Sequence, residues 1–363
     1  MTIVAVGTVA LDTIRTPKGS AIETLGGSAT YFSLSASYFN QVRLVAVVGD
    51  DFPAKYEQLF AKRNIGTDAL THEPGKTFRW QGEYKQWNEA QTLKTELNVL
   101  GSFKPKLPPS YRHSPYLFLA NIDPQVQESV LRQMNHPKLV FCDSMNYWIQ
   151  QKRKSLRRLL SKVDGVFLND SEAREVAQEE SLVKSALAIQ KMGLEVVCIK
   201  KGDHGALLLN RQSLFICPAY PWTQVKDPTG AGDSFAGGFL GHLSRCRKIN
   251  DDQLRMATVY GTVMASFAVE KFSVGRLVNL RKKEIQDRVK KLESVTRIDM
   301  NAPRSKPALG GQAAGFSLCH PERSLPKADE VEGSKTDSST PSPQQVGAQS
   351  LRMTMSTKRA SES

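Results

Sequence analysis

Six short apolar runs, at 2–7, 43–48, 116–120, 139–142, 164–168 and 195–199, recur along the chain, and most are separated by stretches of helical character. That alternation predicts a three-layer α/β/α fold, a mainly parallel central sheet with helices on both faces. Turn or capping residues before periodic apolar positions place helix starts near Ser28, Pro53, Pro124, Ser171 and Ala231. Two segments break the rhythm. Phe78-Arg79-Trp80 and Glu83-Tyr84-Lys85 flank Gln81-Gly82 and read as a short hairpin turning at that pair. Leu11–Arg15 and Ala21–Leu25 form a second pair across Pro17-Lys18-Gly19. Together, segments at about 11–25 and 76–98 read as a small accessory β-sheet.

The chain has 363 residues, enough for one large or two ordinary domains. From Asn301 to Ser363 Ser and Pro recur and no apolar period persists, so 301–363 is expected to be a disordered tail behind a domain at 1–300. The net charge of +13 favours anionic partners. Its two densest runs, Lys152–Lys162 and Arg281–Lys291, lack interleaved exposed aromatics and match no nucleic-acid signature. They read as solvated helix faces, with no nucleic-acid partner. No apolar run approaches the ~20 residues of a membrane span. Cysteines at 142, 198, 217, 246 and 319 are odd in number and lack CxxC spacing. With no secretory signal at the start, they imply a cytoplasmic protein with reduced thiols.

The segment Asp227-Pro228-Thr229-Gly230-Ala231-Gly232-Asp233-Ser234 is a glycine-rich turn entering a helix. Gly230 and Gly232 let backbone N–H groups approach an anion, and the helix start adds positive potential, so phosphate is the natural guest. A carboxylate at Asp233 repels that guest if its task is only binding. It suits a base that accepts a hydroxyl proton while the hydroxyl attacks phosphorus.

The whole stretch, D-x-T-G-A-G-D followed by the small-residue run Ser234–Gly238, resembles the signature of the ribokinase-like (PfkB) carbohydrate kinase family. Gly26-Gly27-Ser28-Ala29 is similar to that family's double-glycine motif, and Val48-Gly49-Asp50-Asp51 to its V-G-x-D turn. The resemblance covers about Thr2 to Leu292 and implies an ATP-dependent kinase with a small β-sheet lid. It implies Asp233 as base, with Gly230, Ala231 and Gly232 as the anion hole. Asp12, Gly26, Gly27 and Tyr31 would bind the acceptor. Asn169 and Glu172, an N-x-x-E motif, would organise Mg²⁺ and the nucleotide phosphates, although Asn169-Asp170-Ser171-Glu172 also reads as a helix cap. Lys200, Gly202, Gly205 and Thr229 fall on the nucleotide side, and Asp227 at a position that suggests K⁺. Dimerisation through the lid sheet is a further implication.

The acceptor stays open. Tyr31 stands where many sugar-specific relatives carry Asn, and Phe78, Trp80, Tyr84 and Trp87 enrich the lid, either to meet a base or as the lid's own small core. A sugar or polyol hydroxyl is the preferred reading, a nucleoside the alternative, and a non-catalytic metabolite-binding regulator the competing class. No GxxxxGK[ST] loop or GxGxxG fingerprint follows the first strand, and the six histidines show no metal spacing.

Overall fold

The structure, a computed structural model, describes residues 1–87 and 89–296; the expected tail lies outside the described residues. The first strands are β1 (Thr2–Val6), β2 (Ala10–Thr16), β3 (Gly19–Gly26), β4 (Gln41–Gly49), β5 (Ile65–Glu73), β6 (Arg79–Gln86) and β7 (Glu89–Glu96). They continue as β8 (Tyr116–Leu119), β9 (Leu139–Asp143), β10 (Gly165–Asn169), β11 (Val196–Lys200), β12 (Ala206–Asn210) and β13 (Leu214–Cys217). Between them run α1 (Ser28–Ala36), α2 (Ala54–Lys62), α3 (Pro109–Arg112), α4 (Pro124–Leu131), α5 (Asn146–Gln151), α6 (Arg153–Leu160), α7 (Asp170–Ala177) and α8 (Leu182–Gln190). Three helices close the described chain: α9 (Ala231–Leu243), α10 (Asp251–Ala268) and α11 (Lys282–Thr296).

A nine-stranded sheet runs in the order β13-β12-β11-β10-β9-β8-β1-β4-β5, and a four-stranded sheet in the order β3-β2-β6-β7. From β5 to β11 every pairing in the large sheet is parallel; β12 and β13 add an antiparallel edge. The chain moves outward from β1 to β4 and β5, then returns to β8 on the other side of β1. Such a reversal of order opens a crevice beyond the carboxyl ends of the strands, where α/β folds bind ligands.

All six apolar runs are strands of the large sheet, and all five expected helix starts fall within a residue of a helix. β5, β12 and β13 are not among those runs. β5 is an edge strand spelled Ile-Gly-Thr-Asp-Ala-Leu-Thr-His-Glu, too polar to register as apolar, and β12 is built largely of leucine, which favours helix. The hairpin of the lid turns elsewhere than expected. β6 runs unbroken through Gln81-Gly82, where the ladder only shifts register, and the reversal follows Gln86. A Cβ on Gly82 would lie 2.0 Å from the Trp80 ring. The glycine therefore admits a ring rather than a turn.

One hydrophobic cluster lies on each face of the large sheet. On the face that carries the glycine loop, α1 is buried at every residue, and its Phe32 stacks on Phe118 of β8 at 4.1 Å. Glycines let α9 nestle against its neighbours: a Cβ at Gly237 would come within 2.5 Å of the Phe32 carbonyl oxygen, and one at Gly238 within 2.6 Å of the Tyr260 carbonyl oxygen. That close packing is what the small-residue run after Asp233 is for.

Candidate active site

The loop before α9 is shaped by a buried carboxylate. Asp227 Oδ1 accepts from the Thr229 amide at 2.9 Å and Oδ2 from the Ser273 amide at 2.9 Å. Burial raises its pKa, with those donors opposing. Gly230, at φ +75°, then reverses the chain into the helix, and a Cβ there would lie 2.3 Å from the Tyr31 ring. The Ala231 amide is engaged with the Pro228 carbonyl at 3.2 Å, whereas Gly232 and Asp233 stand in the first turn, where amides lack helical acceptors. Asp233 is half-buried beside them. Desolvation, reinforced by the charge of Asp143 and opposed by Lys200, pushes its carboxyl up to about 7. A group poised near neutrality is suited to take a proton from a hydroxyl.

The carboxyl ends of three adjacent parallel strands bring three polar groups together: Asp143 from β9, Asn169 from β10 and Lys200 from β11. Lys200 donates to Asp143 Oδ2 at 2.7 Å, and its Nζ lies 3.0 Å from where a Cβ on Gly232 would be. Lys200 therefore lies beside the first turn of α9, pinned by an acid that no sequence motif contains. Asp143 ends an ordinary apolar strand, and only the register of β9 against β10 brings it to the site. Glu172 and Asn169 are joined in a reciprocal helix cap: Asn169 Oδ1 accepts from the Glu172 amide at 2.8 Å, and Glu172 Oε2 from the Asn169 amide at 2.7 Å. Burial pushes Glu172 up to about 7, with Lys200 opposing and Asp143 reinforcing. The described residues hold no ready-made cluster of three or more metal-ligating side chains. A magnesium ion that keeps its waters and arrives on nucleotide phosphates needs no such cage, and the carboxylates present offer the oxygen donors it prefers.

The small sheet and its junction with α1 carry the residues expected to bind the acceptor. Asp12 projects from β2 next to a register shift, and a Cβ on Gly26 would sit 1.9 Å from its Oδ2. Gly27, at φ +94°, would drive a Cβ to 2.4 Å from the Thr8 carbonyl oxygen. Both glycines are thus demanded by close approach. Burial, against the Gly27 amide and with help from the charges of Asp227 and Asp233, pushes Asp12 up to about 8. A carboxyl so raised favours its protonated form at neutral pH, and so offers one donor as well as acceptors.

Tyr31 is 1% exposed, so its ring is no platform for a base; it is packed on Gly230, and its buried hydroxyl has no partner. That hydroxyl lies within electrostatic reach of Asp227, Asp12, Tyr84 and Asp233. From the lid, Tyr84 accepts a hydrogen bond from Thr229 Oγ1 at 3.1 Å, which puts Thr229 on the lid side of the loop. Trp80 folds over Gly82 and donates to Thr92 at 3.2 Å, so its ring serves the lid itself. Gly202 and Gly205, at φ +55° and +84°, shape the β11–β12 connection, where a Cβ on Gly205 would lie 2.0 Å from the Cys217 carbonyl oxygen.

The V-G-x-D turn fastens lid to body. Asp50 accepts from the Gly75 amide, and Asp51 from the amide and hydroxyl of Thr77 at 2.7 and 2.8 Å. Arg79 spans Asp51 at 2.7 Å and Glu23 at 2.8 Å. Much of the basic charge is likewise spent on structure. Arg158 and Lys162 converge on the buried Glu128, and Arg288 pairs with Glu270 under the Phe267 ring. No described helix is long and apolar enough to cross a membrane.

Residues 3–279 match the profile of the pfkB family of carbohydrate kinases. Cytidine kinase of Thermococcus kodakarensis is 28% identical over 255 residues, which span 69% of this chain and 91% of that protein. Nucleoside kinase of Methanocaldococcus jannaschii is 23% identical over 263 residues, 69% of this chain and 81% of that one. Among solved structures, ribokinase from Giardia lamblia superposes with a TM-score of 0.68 at 17% identity, covering 80% of this chain and 98% of its own. Burkholderia thailandensis nucleoside kinase in complex with inosine gives 0.66 at 18% identity, with 81% and 99% covered. The fold, the glycine loop entering α9 and a family match across three-quarters of the sequence lead to one conclusion: the chain belongs to the pfkB family of carbohydrate kinases, phosphotransferases with a hydroxyl acceptor.

Proposed function

We propose that the protein transfers the γ-phosphoryl group of ATP to a sugar hydroxyl, with Asp233 as general base. One observation carries this reading: a carboxyl held near neutrality stands in the first turn of α9, with Lys200 on one side and the partnerless Tyr31 hydroxyl within electrostatic reach. The acceptor hydroxyl gives its proton to Asp233 as its oxygen attacks phosphorus, and the amides of Gly232 and Asp233 with the Lys200 ammonium balance charge on the moving group. Magnesium, organised by Asn169 and Glu172 through water, would neutralise the nucleotide phosphates. Asp227, whose oxygens hold the loop, is where potassium dependence would originate.

Asp12, Tyr31 and Tyr84 offer hydroxyl-binding groups suited to a sugar or polyol, and the rings nearest the site are committed to packing. The same groups serve the ribose of a nucleoside, and the curated relatives that span most of this chain carry cytidine or nucleoside kinase names. Nucleosides therefore rank beside free sugars and polyols in the decisive assay. It measures ADP release with Mg·ATP and potassium across pentoses, hexoses, inositols and nucleosides, with Asp233→Asn as control. Turnover on one class, lost in the control, supports the reading; full activity in Asp233→Asn defeats the base assignment, and silence across the panel with intact ATP binding favours the regulator. Among the described residues, the four cysteines are free and buried or half-buried, which fits a reducing cytoplasm. A homodimer through the lid would use the exposed Ile22 side of that sheet, and light scattering of wild type against Ile22→Lys tests it.

A further inference from the structure

The far end of α1 borders a second cavity that shares no residue with the acceptor or phosphate side. It is a hollow of about 280 Å³, open to solvent, between Ser37 and Tyr38 just after α1, Lys62 and Arg63 at the end of α2, and Lys282 at the start of α11. Tyr38 makes its floor. The tyrosine hydroxyl donates to the Leu277 carbonyl at 2.5 Å and accepts from the Leu280 amide at 3.0 Å, tying the stretch before α11 to α1. Arg63 lies over the ring at 3.8 Å from its centroid, and its Nη2 donates to Ser37 Oγ at 3.3 Å. The Arg63 Nε is buried and has no acceptor.

Three cations thus meet in one hollow with no carboxylate lining it among the described residues. The acid that acts on Tyr38, Glu284, is already held by Arg276 and Arg281. The carbonyl end of α2 accounts for Lys62 and Arg63, since cations are favoured there. It does not account for Lys282, which comes from a different helix, nor for a buried guanidinium donor left without an acceptor, a kind of group that native proteins almost always satisfy.

We propose that this cavity is an anion site for a phosphate group, free or as the ester of a small metabolite. Arg63, held over the Tyr38 ring with its Nη2 on Ser37, and the two lysines bring positive charge to one hollow from the ends of two helices, the charge a phosphate group requires. The volume leaves room for an organic group beside the phosphate.

The test uses the full chain saturated with Mg²⁺ and a non-hydrolysable ATP analogue, so that the anion hole is filled, and titrates inorganic phosphate and glycerol phosphate calorimetrically. One saturable equivalent is expected, weakened at least tenfold in Lys62→Gln/Lys282→Gln and again by added salt, while the nucleotide KM stays unchanged. Both lysines are exposed, so that variant keeps its fold; Arg63→Gln provides a second reading of the same loss. Tighter binding of glycerol phosphate than of inorganic phosphate identifies an ester site, and the reverse order a free-phosphate site. Absence of saturable binding by wild type, or equal binding by wild type and the double variant, overturns the proposal. Because the comparison is between wild type and pocket variants, its outcome stands apart from that of the kinase assay.

Discussion

Asp233 and Asp12 are both carboxyls held far above their usual range by burial, and they respond to pH in different observables. Asp233 must lose its proton to act, so kcat/KM for the acceptor is expected to rise with pH through about 7 and level off above it. In Asp233→Asn turnover is expected to fall by about 10²–10⁴, with nucleotide affinity and melting temperature retained. A flat pH profile in wild type would count against the assignment. Asp12 reads out in stability. Its folded carboxyl binds a proton up to about pH 8, whereas the unfolded group releases it near 4. Across that window the folded state binds more protons, so stability falls as pH rises. Asp12→Asn is expected to flatten the melting-temperature profile between pH 5 and 8 while weakening the acceptor, and an unchanged slope would place the effect elsewhere. The sequence motif located both acids. It could not show that burial raises the Asp12 pKa, because desolvation comes from Gly26, Gly27 and Tyr31 closing around it, a property of packing and not of spacing.

At the scale of elements, the ties between lid and body include the Thr229–Tyr84 hydrogen bond and the ion pairs of Arg79, and their weights differ. The Thr229–Tyr84 hydrogen bond is shielded, and its loss in Tyr84→Phe is expected to cost about 0.5–1.5 kcal/mol, seen as a several-fold higher acceptor KM at similar kcat. Arg79 bridges Asp51 and Glu23 nearer the solvent, where ion pairs contribute about 0–1 kcal/mol. Arg79→Leu is therefore expected to leave the melting temperature nearly unchanged and to speed hydrogen exchange in β6 and β7. The β2–β3 half of the lid was legible as a strand pair, whereas the two strands expected at Phe78–Trp80 and Glu83–Lys85 are one strand, β6, paired with β7. The turn was misplaced because a glycine inside a strand gives the same local signal as a glycine at a reversal, and only Trp80 folding over Gly82 tells them apart. The N-x-x-E segment shows the same ambiguity: as cap and as phosphate organiser it asks for the same residues, and in the structure Asn169 and Glu172 cap each other.

For the whole molecule, strand periodicity was enough to read a parallel sheet, yet strand order was not, since β8 returns to the far side of β1 through contacts distant in sequence. Asp143 became visible only with that order, when β9, β10 and β11 came into register. Composition assigns no structural task to 301–363, so a chain ending at Met300 is expected to keep its turnover and to melt within ~2 °C of the full protein; a larger drop would give the segment a role in the fold. Gly230 and Tyr31 carry a different consequence. The Tyr31 ring fills the space beneath the glycine loop, and its hydroxyl lies within electrostatic reach of Asp12, so under the proposed function choice of substrate and rate of reaction would share one side chain. Selection for a new acceptor through Tyr31 would be punished at the phosphorus. A laboratory evolving this enzyme should find its tolerated specificity changes on the lid strands, with position 31 returning to tyrosine whenever speed is also demanded.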